Sequence, residues 1–423
     1  MAASKSQSVA FFQPQSRRRI SVFFIACMLW LNFLFFVDYR EATKKGYTDF
    51  SVFYTAGTIL RQGLGHQLYD RQVQLRVQQD FAGTHPFLRG PLPYIHPPFE
   101  AVIFVPLSFL SYRNAFLLWD LAGIVMLFGV AAQLRPLVSR LHPLSNWEFV
   151  LGSLAFFPVF MCLLQGQDSI LQLLVCSLAF RALQRNSDLL SGCWLALGSF
   201  KFQFTIPIFL LFIFWNWKRR RFVLGFAVVA LLLVMLSLGL VGTKSLLGYP
   251  GFALQTVDVR ALGGVPLSLL PNLHGLAQGW PYPLSGLFGM ALAVIASIGL
   301  FLFGAMKGRT EEESKNLNLQ ISLAVCVAVL VAWQTNVHDL SLLILPIFFA
   351  ADYVFHQTSK EAISIRAFLL PVLPLFISPL WMVLWLGIGK VNLMVIPLLW
   401  WVWELGKELS RNRGNTAALA QDI

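Results

Sequence analysis

Long apolar runs separated by short polar stretches form the main pattern of the chain. Twelve runs approach the length of about 20 residues that a helix needs to cross the hydrocarbon of a bilayer. They cover residues 20–37, 99–111, 115–134, 147–165, 169–185, 190–217, 222–242, 285–305, 317–335, 340–356, 366–387 and 391–405. The pattern therefore predicts an all-α polytopic membrane protein with about 12 transmembrane helices.

Two polar segments divide this series of apolar runs. The longest covers residues 38–98 and contains helix-like pieces; the second, rich in Pro and Gly, covers 243–284. We expect a tail at 1–19, a helical module at 20–242 that includes the loop 38–98, the loop 243–284, C-terminal transmembrane helices at 285–405 and a second tail at 406–423.

The composition supports a bilayer location. Hydrophobic residues make up 57% of the chain and charged residues 12%, whereas an ordinary soluble domain has about 25% charged residues. A soluble enzyme, a disordered chain and a disulfide-stapled secreted module are therefore excluded. The net charge of +12 comes from Lys and Arg in short runs beside apolar segments, such as 17–19 and 218–221. That placement is typical of topology signals and contact with anionic lipids rather than of nucleic-acid binding.

The distribution of Lys and Arg among the short loops predicts the orientation. With the N-terminus inside, most cationic runs fall on the cytoplasmic side, both termini are cytoplasmic, and the loops 38–98 and 243–284 are external. The same parity puts the polar break 165–168 on the cytoplasmic side, away from the external loops. There it is either the tip of a short helical hairpin that reaches into the core or, as the simpler interpretation, a turn in which Asp168 and Ser169 cap the next helix.

The polar motifs occur in a characteristic order over most of residues 45–345. They are Asp49-Phe-x-Val-Phe-Tyr-x-Ala-Gly, Gly65-x-x-Leu-Tyr69-Asp70, Tyr94-x-His96-Pro97-Pro98, Val105-Pro106-Leu107, Ala115-x-x-x-Trp119, Gln165-Gly166-Gln167, Leu197-Gly-Ser-Phe-Lys201-Phe-Gln203, Asn272-x-His274-Gly275 and Asn336-x-His338-Asp339-Leu340. In this order they resemble glycosyltransferase family 87 (the DUF2029 group), a family of GT-C glycosyltransferases. One departure is Phe202, where the family often has Pro after the Lys, and it leaves the helix geometry around Lys201 open.

The resemblance implies a polyprenyl-phosphate-sugar-dependent mannosyltransferase. Such an enzyme transfers a hexose, mannose above all, from a polyprenyl-phosphate donor to a lipid or glycan acceptor at the external membrane face, with inversion. The module 20–242 would be catalytic and the location a bacterial inner membrane. Its expected partners are the lipid-linked donor, the acceptor and membrane lipids, with no nucleic acid.

Transfer from a lipid phosphate needs a general base for the acceptor hydroxyl and groups that stabilise the leaving phosphate. Asp49 lies shortly after the first apolar run, near the external surface, and is the candidate base. The alternatives are a solvated loop acid or a helix N-cap, because Thr48-Asp49 precedes an apolar run. Asp38 and Asp70 are the competing acids.

Lys201 lies inside an apolar run, where an ammonium costs ~2.5–3.5 kcal/mol and therefore needs a partner. It is either a ligand for the carrier phosphate or a structural pair with an acid such as Asp168. The further candidates for binding phosphate or sugar are His96, His274, His338, Arg61, Arg89, Arg260 and Tyr54. For each of them the alternative is that the side chain lies at the membrane interface or in solvent and binds no substrate.

The sequence gives no support for a metal or a cofactor. No Asp-x-Asp pair occurs in an external loop, and no Gly-rich loop that would cradle a nucleotide is present, which favours a lipid-linked donor. The five cysteines lie in apolar stretches with no paired spacing. A polytopic transporter or a lipid or glycolipid flippase is the alternative function. The lack of a convincing repeat between the two halves argues against it.

Overall fold

The structure, a computed structural model, describes residues 14–45, 48–82, 92–138, 145–256, 267–278, 286–309, 313–356, 370–377, 380 and 392–421. Within these ranges the regular elements are helical, without β-strands. The α-helices are α1 (Pro14–Lys45), α2 (Phe50–Arg61), α3 (Arg71–Ala82), α4 (Ala101–Phe104), α5 (Tyr112–Leu134), α6 (Asn146–Ala155), α7 (Phe157–Gln165), α8 (Ser169–Gln184), α9 (Asp188–Leu197), α10 (Phe202–Trp215), α11 (Arg220–Thr256), α12 (Leu273–Gln278), α13 (Leu287–Gly308), α14 (Glu313–Val331), α15 (Ile344–His356), α16 (Leu373–Phe376) and α17 (Val395–Gln421). Short 3-10 turns at Gly65–Gln67, Pro98–Glu100, Leu107–Phe109, Arg135–Leu137, Gly198–Lys201, Leu267–Leu269, His338–Leu343 and Leu370–Val372 complete the order.

Several helices could span a membrane. In the described part of the chain four segments are long and apolar enough: Tyr112–Leu137, Asp188–Trp215, Arg220–Ala253 and Leu287–Gly308. The helices α6 and α7 together make a fifth, but they are bent by 81° at their junction. The predicted count of about 12 spans is therefore not confirmed, and much of the predicted run 366–387 lies outside the described residues.

The predicted span at 99–111 is wrong. This segment folds as the 3-10 turn Pro98–Glu100, the four-residue α4 and the 3-10 turn Leu107–Phe109. Pro98 and Pro106 have no backbone N–H to continue a helical ladder, so the segment breaks into pieces too short to cross a bilayer.

The longer loop holds two short helices, as the pattern predicted. The helix α2 is buried along nearly its whole length, and Phe53 of α2 stacks on Phe104 of α4 with ring centroids 4.7 Å apart. At Gly57 the two segments approach so closely that a Cβ would lie 2.4 Å from the Phe104 carbonyl oxygen. This packing fixes the start of α2, and with it Asp49, against the segment that carries His96.

The second expected loop begins later than predicted. The helix α11 continues through the predicted boundary at 242 to Thr256, with a kink at Gly242, whose φ of 76° lies in the left-handed region. Gly can adopt this conformation without a Cβ penalty. Beyond the kink, the Tyr249 hydroxyl donates to the Ile95 carbonyl at 3.1 Å, so this end of α11 contacts the segment beside His96.

A large apolar core surrounds α14. Its residues from Leu319 to Leu330 are buried on every side, as expected for a helix that is apolar all round. It packs against α10, α13, α15 and α17. The 3-10 turn His338–Leu343, which follows α14, packs against α7 and α8, and this contact brings the C-terminal half of the chain to the polar turn 165–168.

Candidate active site

Asp49 lies at the start of α2, half-buried. Although it occupies the N-cap position, its carboxylate makes no hydrogen bond to the N–H groups of the first turn. The Gln167 amide Nε2 instead donates to Asp49 Oδ2 at 2.8 Å. The N-cap interpretation is therefore wrong for the side chain, and the carboxylate is oriented by a residue from a distant part of the chain.

The turn between α7 and α8 supplies that residue. Gly166 ends α7 in the left-handed conformation, with φ of 65°, and a Cβ there would lie 2.7 Å from the Phe50 Cβ. The reversed chain then directs Gln167 to Asp49 and the Asp168 carboxylate to Lys201, whose Nζ lies 2.8 Å from Asp168 Oδ1. Asp168 does not cap α8.

The parity prediction for this turn is wrong. It set residues 165–168 on the face opposite Asp49, whereas the structure joins Gln167 to Asp49. That count included a crossing at 99–111, which the structure breaks into short turns, and it treated 147–165 as one straight span although α6 and α7 meet at 81°. A broken helix pair need not carry the chain across the bilayer as one straight span would, so counting spans gives the wrong face.

Lys201 is buried at a break in its segment. The 3-10 turn Gly198–Lys201 separates α9 from α10, and Lys201 itself has non-helical φ and ψ of −110° and 62°. Its Nζ contacts Asp168 Oδ1 and Ser169 Oγ, each at 2.8 Å, and Asp339 Oδ1. The ammonium donates hydrogen bonds to Ser169 and Asp339 and forms an ion pair with Asp168. The structure thus contains the pair with Asp168 that was the alternative to a phosphate ligand.

Asp339 anchors the turn that follows α14. Its Oδ1 accepts from Ser169 Oγ at 2.9 Å, and its Oδ2 accepts from the Asn336 backbone N–H at 2.8 Å. Burial raises the pKa of Asp339, but the Lys201 ammonium, the His338 ring and the hydrogen bonds that the carboxylate accepts together hold that pKa below its ordinary value. Asp339 is therefore an ionised partner of Lys201.

His338 lies next to Asp339 and is also buried. Its Nδ1 lies 2.9 Å from Gln165 Oε1, an acceptor, so Nδ1 carries the proton in this contact. Burial lowers the pKa of His338 despite the nearby carboxylates. The ring is therefore neutral at pH 7, and its unprotonated Nε2 can accept one hydrogen bond at a site beside Asp49.

His96 and Glu100 form a second pair on the other side of Asp168. His96 Nδ1 lies 2.9 Å from Glu100 Oε2 and 3.9 Å from Asp168 Oδ2. Burial lowers the pKa of His96, but the Glu100 carboxylate, its hydrogen bond and the Asp168 carboxylate together raise that pKa above its ordinary value. Burial raises the pKa of Glu100 to about 8. Burial also raises the pKa of Asp168, but the Lys201 ammonium, the Glu100 hydrogen bond and the His96 ring together lower it below its ordinary value.

The sequence analysis did not select Glu100. The available signal was an acid four residues after His96, at the start of an apolar run, where a charge needs a partner. Together Asp49, Gln165, Gln167, Asp168, Ser169, His96, Glu100, Lys201, His338 and Asp339 form one connected polar cluster inside an apolar helical protein.

A family model for glycosyltransferase family 87 matches residues 94–333, more than half of the 423 residues. The chain belongs to glycosyltransferase family 87. Membership indicates a glycosyltransferase and favours an enzyme over the transporter or flippase alternative. The matched region of this family 87 protein includes His96, Glu100, Asp168 and Lys201. Comparisons with curated proteins and with solved structures gave no match.

Three residues of this family 87 glycosyltransferase that were predicted to bind phosphate or sugar make their contacts outside the polar cluster. Exposed Arg61 lies over the Phe109 ring, 5.2 Å from its centroid. The Tyr54 hydroxyl donates to the Leu110 carbonyl at 2.7 Å. His274 stacks on Trp333 with centroids 3.9 Å apart, and its Nδ1 lies 3.0 Å from the Trp333 carbonyl oxygen. Burial lowers the pKa of His274.

The structure also describes the two acids that were alternatives to Asp49 as the base, but not the two remaining candidate arginines. Asp70 caps α3, because its Oδ1 accepts from the backbone N–H groups of Gln72 at 2.8 Å and Val73 at 3.2 Å. Asp38 lies within α1. Arg89 and Arg260 lie outside the described residues.

Proposed function

We propose that this glycosyltransferase transfers a hexose, with mannose favoured, from a polyprenyl-phosphate carrier to a lipid or glycan acceptor. The site lies at the external membrane face of a multi-pass protein whose termini are cytoplasmic. The observation that carries the proposal is the half-buried Asp49 carboxylate, oriented by Gln167 beside a buried polar cluster.

In the reaction Asp49 is the general base. It takes the proton of the acceptor hydroxyl as that oxygen attacks the anomeric carbon. The bond between the anomeric carbon and the carrier phosphate oxygen breaks in the same displacement, and polyprenyl phosphate leaves with the bonding electrons. One displacement inverts the configuration at the anomeric carbon.

The hydrogen bond from Gln167 supports this role for Asp49. It fixes the plane of the carboxylate without protonating it, and a base must be held in position to work efficiently. Asp70 is a poorer candidate, because one of its oxygens already caps α3.

His338 is the candidate for contacting a sugar hydroxyl, which can donate to its unprotonated Nε2, rather than the carrier phosphate, whose oxygens only accept. It is neutral, and Gln165 orients it from the same turn that orients Asp49. Lys201 was another phosphate candidate. Because its ammonium is paired with Asp168 and Asp339 and donates to Ser169, we assign it to holding the cluster together.

The test compares donors on membranes that contain the full chain. Radiolabelled mannosyl polyprenyl phosphate should deliver its label to a lipid or glycan fraction, while GDP-mannose and UDP-glucose should not. Transfer from the sugar nucleotides alone would overturn the lipid donor. Movement of the labelled lipid across the bilayer without sugar transfer would favour the flippase.

A further inference from the structure

Three potential metal ligands converge on one side of the cluster. They are His96 Nδ1, the Glu100 carboxylate and the Asp168 carboxylate, and one ligand atom from each lies within 4.8 Å of the others. Glu100 and Asp168 are fully buried, whereas His96 is partly exposed. The chain thus brings one imidazole nitrogen and two carboxylates to a shared point.

Three buried oxygens at this point accept no hydrogen bond from an N–H group of the described residues. They are Glu100 Oε1 and both oxygens of Asp168, and the two carboxyl groups lie close enough to share a proton. Glu100 Oε2 accepts from the Tyr94 hydroxyl at 3.2 Å, and Asp168 Oδ1 forms the ion pair with Lys201. Two buried carboxylates that face each other need either a shared proton or a cation between them.

The local charge favours a cation. The cluster has three buried carboxyl groups, from Glu100, Asp168 and Asp339, and a single buried ammonium, from Lys201. Lys201 serves Asp168 and Asp339, so Glu100 has only the His96 ring as a partner of opposite sign. A carrier phosphate that approached this cluster would meet excess negative charge.

We propose that His96, Glu100 and Asp168 bind one divalent transition-metal cation, Mn²⁺ or Zn²⁺. One imidazole nitrogen with two carboxylate oxygens suits these ions, whereas Mg²⁺ and Ca²⁺ prefer oxygen ligands alone. Ligands at about 2.1 Å from such a cation lie about 3.0–3.5 Å from each other. His96 Nδ1 lies 2.9 Å from Glu100 Oε2 and 3.9 Å from Asp168 Oδ2, so without a cation His96 pairs with Glu100, and a bound cation would replace that pairing.

The surrounding contacts hold the ligands in this arrangement. Lys201 occupies Asp168 Oδ1 and leaves Oδ2 for the metal, as outer-shell partners of metal ligands commonly do. The Tyr69 hydroxyl donates to the His96 carbonyl at 2.8 Å and fixes the backbone of that residue. Both partners come from outside the segment 96–100, so the site is organised by the fold.

The role of the cation rests on the proposed function, but its binding does not. If the proposed transfer takes place, the cation offsets the charge of the carrier phosphate next to the turn that orients Asp49. Binding can be measured on the full chain with neither donor nor acceptor present. Failure of the metal site is therefore distinguishable from failure of the proposed function.

The first experiment titrates the purified, chelator-stripped full chain in detergent with Mn²⁺ or Zn²⁺ and measures bound metal by equilibrium dialysis and mass spectrometry. We expect one ion per chain, and an affinity at least about tenfold lower in the Glu100→Gln variant. The matched control is Asp188→Asn, which removes an acid that contacts Arg219 outside the cluster. It should bind as the wild type does. No stoichiometric binding, or equal affinity in Glu100→Gln, would overturn the proposal and leave a shared proton between the two carboxyl groups.

The second experiment needs no variant, so a folding defect cannot obscure it. Electron spin echo spectroscopy of the wild-type chain with one equivalent of Mn²⁺ should reveal coupling to a single nitrogen. Labelling histidine with ¹⁵N should change that coupling. A spectrum without nitrogen coupling would exclude His96 as a ligand and overturn the proposed site.

Discussion

Gln167 Nε2 donates a 2.8 Å hydrogen bond to Asp49 Oδ2, across 118 residues of sequence. The contact joins the turn between α7 and α8 to the first turn of α2. It makes the orientation of the proposed base depend on a residue outside its own helix. Gln167 is therefore a positioning residue, and its removal should affect the rate more than binding.

The first prediction concerns Gln167→Leu. Without the amide, the Asp49 carboxylate loses its fixed orientation, and small misplacements of catalytic groups can cost up to about a hundredfold in rate. We expect kcat to fall about ten- to a hundredfold, with the donor KM little changed. Gln184→Leu, at the far end of α8, removes an amide that hydrogen-bonds to Asn318 instead and should retain kcat. An unchanged kcat in Gln167→Leu would exclude the positioning role.

The second prediction concerns Lys201→Met. Removing the ammonium leaves Asp168 and Asp339 buried without their cation, and breaking a buried pair in this way costs about 3–5 kcal/mol. We expect a large drop in melting temperature in detergent, partly restored when Asp339→Asn is added. A normal melting temperature combined with a raised KM for the lipid donor would instead make Lys201 the phosphate ligand.

The third prediction is a pH dependence of stability. Burial lowers the pKa of His338 in the folded protein below the ordinary 6.5. The stability that the neutral ring supplies is therefore complete above pH 6.5 and is lost as the pH falls from 6.5 through the lower pKa of the folded protein. Between pH 7.5 and about 5.5 the melting temperature of the wild type should fall further than that of the His338→Gln variant. Other titrating groups are common to both proteins, so parallel curves would contradict a buried neutral His338.

The fourth prediction concerns orientation. A reporter fused after Arg413 should read as cytoplasmic, and a cysteine introduced by Gln62→Cys should react with a membrane-impermeant thiol reagent from the outside. Gln62 follows α2 and is exposed, so access to its side chain does not limit the reaction. An external reading of the reporter, or labelling of Gln62→Cys only after membrane disruption, would contradict the proposed topology.

The sequence predicted the helical class, the family and several residues of the cluster. Asp49, Lys201 and His338 stood out because each is a polar group beside or within apolar runs. The structure connects them through one turn, since Gln167, Asp168 and Gln165 contact them respectively. Their chemical roles remain predictions.

Other features depend on geometry that the pattern does not contain. The turn 165–168 lies beside Asp49, and neither the bend of 81° between α6 and α7 nor the break at 99–111 can be read from apolar length. Apolar length alone suggested a span at 99–111, where prolines break the chain into short turns. Glu100 becomes significant only once the fold brings His96 and Asp168 beside it, because Asp168 lies far along the sequence.

The most direct test of Asp49 as the base is sugar transfer from radiolabelled mannosyl polyprenyl phosphate, measured for the wild type, Asp49→Asn and Asp70→Asn at equal amounts of folded protein. The asparagine oxygen can still accept from Gln167, so the fold should be retained, and transfer by Asp49→Asn should drop at least about a hundredfold. Asp70→Asn removes only a helix-capping carboxylate and should keep its transfer activity. Near-normal transfer by Asp49→Asn would contradict the assignment and move the base to another acid.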